Sequence, residues 1–511
     1  MDPSRATAGR LPSTVLILAL GGALLQLLTG PRYGLFRDEF YYLACADHLD
    51  WGYVDHPPLS IAVLWAVRAL AGDSLLALRL VPALLLGLVV VLAACLAREY
   101  GGDRFAQGLA ALSVLAAPQY LGLTGFYSMN ALDLAFWAGG ALLLARLARL
   151  DRPPLWLPLG LIIGLGLMNK LSLLFFALGL GLATLLTPLR RHLRTPWPWL
   201  GGLLAAACLV PHLLWQVAHS WPTTEFIRNA TRYKNAPLAP LQFLAAQVQD
   251  LNPVNAPLWL AGLGWLLLSP RGRAFRALGV VYLAALGVML LQNAKPYYLA
   301  PAYPMLLAAG AVALGSVTAG RSRSWPRLVV PALLVASGAA LAPFAIPVLP
   351  VEGYLAWQQA LGLTPSAGER HEMGPLPQHF ADRFGWRELT REVARVHAAL
   401  PPEDRARVLI VADNYGEAAA LGYYGRELGL PHAVSQHNSF WLWGPGRSEV
   451  EVAIIVGKDE QDMREAWEQV EVAGRFSHPY AMPYEQRRPI LVCRGLRFPL
   501  EVAWRLGRMY I

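Results

Sequence analysis

The chain has 511 residues, 55% of them hydrophobic and 15% charged, with a formal net charge of +9. Soluble chains of this size carry about a quarter charged residues, so this composition excludes a soluble globular protein. The positive balance then reads as membrane topology rather than as a nucleic-acid footprint.

In chain order, apolar runs separated by charged breaks mark eleven candidate spans: 12–30, 78–97, 105–121, 131–148, 155–169, 171–188, 199–218, 255–269, 277–293, 299–317 and 328–349. Crossing the hydrocarbon core takes about 20 residues of helix. No small-residue cleavage signature follows the first run, which reads as a retained span. Met168, Asn169, Lys170 and Leu171 leave room only for a tight hairpin between the fifth and sixth spans. Arginine clusters precede the first span and follow every second one: Arg5 and Arg10; then Arg98 and Arg104; Arg146, Arg149 and Arg152; Arg190, Arg191 and Arg194; Arg271, Arg273 and Arg276; Arg321, Arg323 and Arg327. That side, with the N-terminus, is expected to be cytoplasmic. Between the first two spans, Phe36, Phe40, Leu43 and Ala44 recur at helical spacing, so one face of a helix can lie on lipid. The run 59–70 is too short to span and suits a second interfacial helix.

From 350 onward the chain is richer in charge. The β-branched runs RVLIVADN, EVAIIVG and PILVCRG read as strands, and 415–428 and 459–473 read as helices. The expectation is a polytopic α-helical membrane domain over 1–349 and an extracytoplasmic α/β domain over 350–511. The segment SQHNSFWLWGPG (435–446) suits sugar stacking or a buried loop equally. Cys45, Cys95, Cys208 and Cys493 show no metal-ligand spacing, and a Cys45–Cys493 disulfide stays open.

The outward-facing segments hold the chemistry. FRDEFYYLACADHLDWGYVDHPPL packs carboxylates, imidazoles and aromatics beside a span. Asp38 and Glu39 could simply favour a helix N-terminus. Asp133, however, lies just inside the fourth span, where an ionised carboxylate costs roughly 2.5–3.5 kcal/mol at mid-membrane and less near the edge. Lysine occurs only at 170, 234, 295 and 458, and the first three map to the outer face. With Arg228 and Arg232 they could hold a phosphate, while snorkelling accounts for a lone lysine at a helix end. Tyr297 and Tyr298, beside Lys295, suit either an aromatic belt or a lipid-phosphate site. Acids and cations on one face fit glycosyl transfer from a lipid-phosphate sugar, in which a carboxylate takes the acceptor proton and cations stabilise the departing phosphate. A transporter of a lipid-linked or anionic substrate is the alternative from another class, although its ionisable groups would be expected near mid-membrane in two related halves.

The first-loop stretch, with YSMNALDLAFW, GLGLMNKLSLLFF, KPYYLAPAYP, DNYGEAAALGYYG and HNSFWLWGP, resembles bacterial family-39-type glycosyltransferases of the GT-C fold. These are related to protein O-mannosyltransferases and to the aminoarabinose transferase of lipid A. The resemblance implies Asp38 as catalytic base with Glu39 as partner, Asp133 as the second acidic position, and Lys170 and Lys295 near the carrier phosphate. His56 matches the loop motif, where it binds substrate or only fixes the loop. The second acidic site departs from the family pattern, because Leu134 and Ala135 follow Asp133 where many relatives have a small residue and Pro. A polyprenyl-phosphate sugar is the implied donor, with a protein, lipid or glycan of the cell envelope as acceptor and the bacterial cytoplasmic membrane as location. A divalent ion, Mg²⁺ or Mn²⁺, stays open, with Asp38, Glu39 and Asp133 as its candidate ligands.

Overall fold

The computed structural model describes residues 10–292, 294–320, 324–365 and 369–511. Arg5, Arg321 and Arg323, used above for orientation, lie outside them. The chain divides into two compact units, the first formed by Met1–Arg32, Ala71–Leu214 and Pro237–Pro350, the second by Tyr33–Leu70, Trp215–Ala236 and Val351–Ile511.

The first unit is helical. Helices occupy all eleven apolar runs. Among the described residues, six are long and apolar enough to cross a membrane, and up to eight if each of two sharply bent pairs is one span. Leu75–Glu99 packs against Ser13–Thr29, Arg104–Leu115 and Met129–Leu150. Small residues let helices touch, as is usual where lipid supplies no hydrophobic drive between them. A Cβ on Gly310 would overlap the Leu258 carbonyl, and one on Gly262 the Leu306 carbonyl, which seats Tyr303–Val317 on Ala256–Leu268. At one end of the bundle, buried Glu99 is gripped by Arg146 at 3.0 Å and Arg149 at 2.8 Å.

The second unit gathers the first loop, a short stretch after Trp215 and the tail. Its five-stranded sheet comprises β1 (Leu409–Ala412), β2 (Ala433–Ser435), β3 (Val452–Val456), β4 (Trp467–Phe476) and β5 (Arg488–Leu496). Their order is β2-β1-β3-β5-β4, with β1 parallel to β2 and β3, and β5 antiparallel to β3 and β4. The helix expected over 459–473 stops after Glu460–Ala466. From Trp467 the chain is edge strand β4, where Val470, Glu471 and Val472 pair in register with Cys493, Val492 and Leu491 of β5.

The first loop forms the two expected helices, Arg37–Asp47 and Leu59–Ala71. Its apolar face does not meet lipid. Phe40 is fully buried, with edge contacts to Trp386, Tyr423 and Tyr424. Cys45 and Cys493 are buried free thiols and form no disulfide. In the 435–446 segment Ser435 and His437 through Phe440 are buried, while Trp441 through Pro445 are partly buried and Gly446 is exposed.

Candidate functional site

In the second unit the candidate residues surround the N-terminal turn of Arg37–Asp47. Glu39 turns back to cap its own helix, its Oε2 accepting from Phe36 N–H at 2.8 Å, and is 1% exposed. Asp38 points the other way and is partly buried. Its Oδ1 accepts a 2.8 Å hydrogen bond from the Tyr415 hydroxyl. Burial raises the Asp38 carboxyl above the usual range, opposed by the Tyr415 bond and the charges of Lys234 and Arg37, and reinforced by Asp55. Arg37 donates to Tyr484 Oη at 3.0 Å, and Tyr484 donates to Asp382 Oδ1 at 3.0 Å. Asp382 is itself pushed up to about 7, mainly by burial.

Asp55, one of the crowded first-loop charges to which residue type alone gave no role, is a second carboxylate of this cluster. Tyr41 donates to its Oδ1 at 2.8 Å, and Ser439 Oγ lies 2.8 Å from the same hydroxyl. His56 is 1% exposed, stacked on Tyr42 with ring centroids 5.0 Å apart, and its Nε2 is 4.0 Å from Asp55. Its Nδ1 bonds the Pro57 carbonyl at 3.0 Å, so its visible contacts are those of a residue that fixes the loop. Arg228 and Arg232 are exposed. Lys234, at the end of the π-helical turn Ala230–Lys234, is the cation of this stretch whose field reaches Asp38.

The first unit holds the other candidates. Ser128 caps Met129–Leu150, and the spacing of Asn130 and Asp133 puts both on one face of that helix. Lys170, in the turn before Leu173–Leu186, donates to Asn130 Oδ1 at 2.8 Å and lies 3.6 Å from Asp133 Oδ2. Its ammonium also sits 4.8 Å from the Tyr298 ring and 5.6 Å from Tyr297. Asp133 is fully buried and takes a 2.6 Å bond from Ser172. Lys295 is partly buried, just ahead of the 3-10 helix Pro296–Ala302. The structure thus brings Lys170, Asp133, Tyr297 and Tyr298 together as an ion pair roofed by aromatics.

The three acids named for a metal do not fit as a ligand set. Glu39 spends its carboxylate on its own helix, and Asp133 is held by Ser172 and Lys170. Among the described residues no three His, Cys, Asp or Glu side chains converge in a way that could hold an ion.

A family model described as dolichyl-phosphate-mannose-protein mannosyltransferase matches residues 55–215. The chain is 26% identical over 260 residues to the lipid A galacturonosyltransferase RgtD of Rhizobium johnstonii, an alignment covering 48% of this chain and 54% of that protein. It therefore spans about half the length of the curated relative it matches. The structure is similar to that of ArnT from Cupriavidus metallidurans bound to undecaprenyl phosphate, with a TM-score of 0.59 at 16% identity, covering 93% of this chain and 97% of that one. The apo state of the same ArnT gives a TM-score of 0.58 over the same shares. The chain has the GT-C fold of ArnT.

Proposed function

We propose that this protein is an inverting membrane glycosyltransferase. In this reading it moves a sugar from a polyprenyl-phosphate donor to an acceptor in the cell envelope, at the outer face of the bacterial cytoplasmic membrane. The single observation that carries the reading is Asp38, a partly buried carboxylate bonded through one oxygen to Tyr415 and raised by burial above the usual carboxylate range, on a GT-C fold. A base poised in that way is suited to general catalysis. Lipid-phosphate donors enter the reading through the names of the similar proteins, which include a lipid A sugar transferase and an ArnT bound to undecaprenyl phosphate.

Asp38 takes the proton of the acceptor hydroxyl or amine. The freed electron pair attacks the anomeric carbon as the bond from that carbon to the phosphate oxygen breaks, and polyprenyl phosphate leaves with that bonding pair. A single displacement from the face opposite the phosphate inverts the configuration. Lys170 and Lys295 neutralise the phosphate charge, which is worth most where water is excluded. Tyr297 and Tyr298 present ring faces to the Lys170 cation. We give Asp133 the role of counter-ion to Lys170 and Glu39 that of helix cap, and we route no step through a metal. Eleven crossings with the N-terminus in the cytoplasm complete the proposal, resting on helices at every apolar run and on the alternating arginine clusters.

The test is transfer itself. Purified protein in liposomes is given labelled polyprenyl-phosphate sugars and envelope extract, and the product's anomeric configuration is read by NMR. Inverted product with stoichiometric release of polyprenyl phosphate supports the reading. Retained configuration would remove the single displacement, and transport of intact donor without bond cleavage would replace the enzyme reading.

A further inference from the structure

The Asp38 carboxylate receives one hydrogen bond among the described residues, and it comes from the far end of the sequence. Tyr415 opens the helix Tyr415–Tyr424, whose start is fixed by Asn414 accepting from Glu417 N–H at 3.0 Å. Its ring is clamped on several sides. Tyr41 lies at 4.7 Å, His437 at 4.8 Å, and the Arg37 guanidinium at 4.9 Å from its centre. Gly416 follows it of necessity, since a Cβ there would come within 2.6 Å of Arg37 Cγ. A ring held this firmly fixes the place of its hydroxyl oxygen, 2.8 Å from Asp38 Oδ1, to which it donates.

We infer that Tyr415 is the positioning residue for Asp38, fixing the carboxylate rotamer so that Oδ2 is the oxygen left to meet the acceptor. The inference rests on the base role proposed for Asp38. A hydrogen bond to the ionised form favours that form, so Tyr415 also opposes the effect of burial. The charged and titratable groups facing Asp38 are Arg37 on its own helix, Asp55 from the following loop, Lys234 from the π-helical turn, Tyr415, and Asp382. Of these, only Tyr415 donates a hydrogen bond to it.

The test is Tyr415→Phe, which keeps the clamped ring and removes the donor. Loss of one bond to a charged group should move the acidic limb of the kcat/KM profile upward by about one pH unit. Alkaline rates should stay within a few-fold of wild type, and the donor KM should not change. An acidic limb that does not move, whatever the size of the rate, overturns the inference. Infrared titration of the Asp38 carboxyl, assigned by difference against Asp38→Asn, reads the same shift without turnover. If wild type transfers no sugar but this titration moves upward in Tyr415→Phe, the positioning stands and the proposed function fails. Should Tyr415→Phe not fold, 3-fluorotyrosine at 415 decides the matter. Its more acidic phenol must move the titration downward, and no movement refutes the role.

Discussion

The ion pair inside the first unit gives a prediction whose size follows from geometry. Lys170 Nζ stands 3.6 Å from Asp133 Oδ2, and both side chains are nearly inaccessible, at 11% and 1% exposure. At an effective dielectric of about 20 the attraction is about 4–5 kcal/mol, much of it offset by the cost of desolvating both ions. Lys170→Met leaves the Asp133 carboxylate with Ser172 alone and should cost about 3–5 kcal/mol. Asp133→Asn keeps a partner for Ser172 and leaves Lys170 with Asn130 and two aromatic rings, so it should cost about 1–2 kcal/mol. The double variant removes both charges and should be more stable than Lys170→Met alone. Unfolding from bicelles by graded SDS, followed by tryptophan fluorescence, measures all four proteins. A double variant as unstable as the sum of the singles would refute a direct pair and leave Lys170 as a snorkelling lysine.

Burial, reinforced by Glu485, pushes Glu417 up to about 8, against about 4.3 in an unfolded chain. The folded state therefore holds the extra proton between those values, and stability should fall as pH rises from about 5 to 8. Glu417→Gln should flatten that slope in thermal unfolding curves, and an unaltered slope would assign the proton elsewhere. Gly310→Ala drives a methyl into the Leu258 carbonyl and should cost about 3 kcal/mol, seen as a sharp loss of folded protein in membranes, whereas Gly264→Ala, which meets nothing within 4 Å, should be silent. Because the three candidate acids do not form a ligand set, transfer should survive prolonged chelation, and its abolition by EDTA with rescue by Mg²⁺ or Mn²⁺ would contradict that assignment.

Where the sequence was legible, it was through periodicity and composition. Apolar runs located the helices of the first unit, and β-branched runs located β1, β3 and β5, because burial alone dictates those patterns. Partners distant in sequence left no such trace. Nothing near Phe40 says that its face will meet Trp386 and Tyr424 rather than lipid, since an apolar stripe is the same signal for either. Strand β4 was read as helix because Glu460–Ala466 runs directly into it and only pairing with β5 ends the helix. Asp38, Asp133, Lys170 and the two tyrosines stood out by residue type, but their bonding did not. Tyr415 lies 377 residues from the carboxylate it bonds, and nothing in the residue types says that the field of Lys234 reaches Asp38 while Arg228 and Arg232 stay exposed.

The central claim is that Asp38 is the base for sugar transfer from a lipid phosphate. Release of free polyprenyl phosphate from a matched panel of polyprenyl-phosphate sugars, compared between wild type and Asp38→Asn in the same liposomes, tests it most directly. The account predicts acceptor-dependent release by wild type and a loss of at least about a hundred-fold in the variant, with unchanged folding and unchanged donor binding. Equal release from both proteins would take Asp38 out of the mechanism and contradict the account.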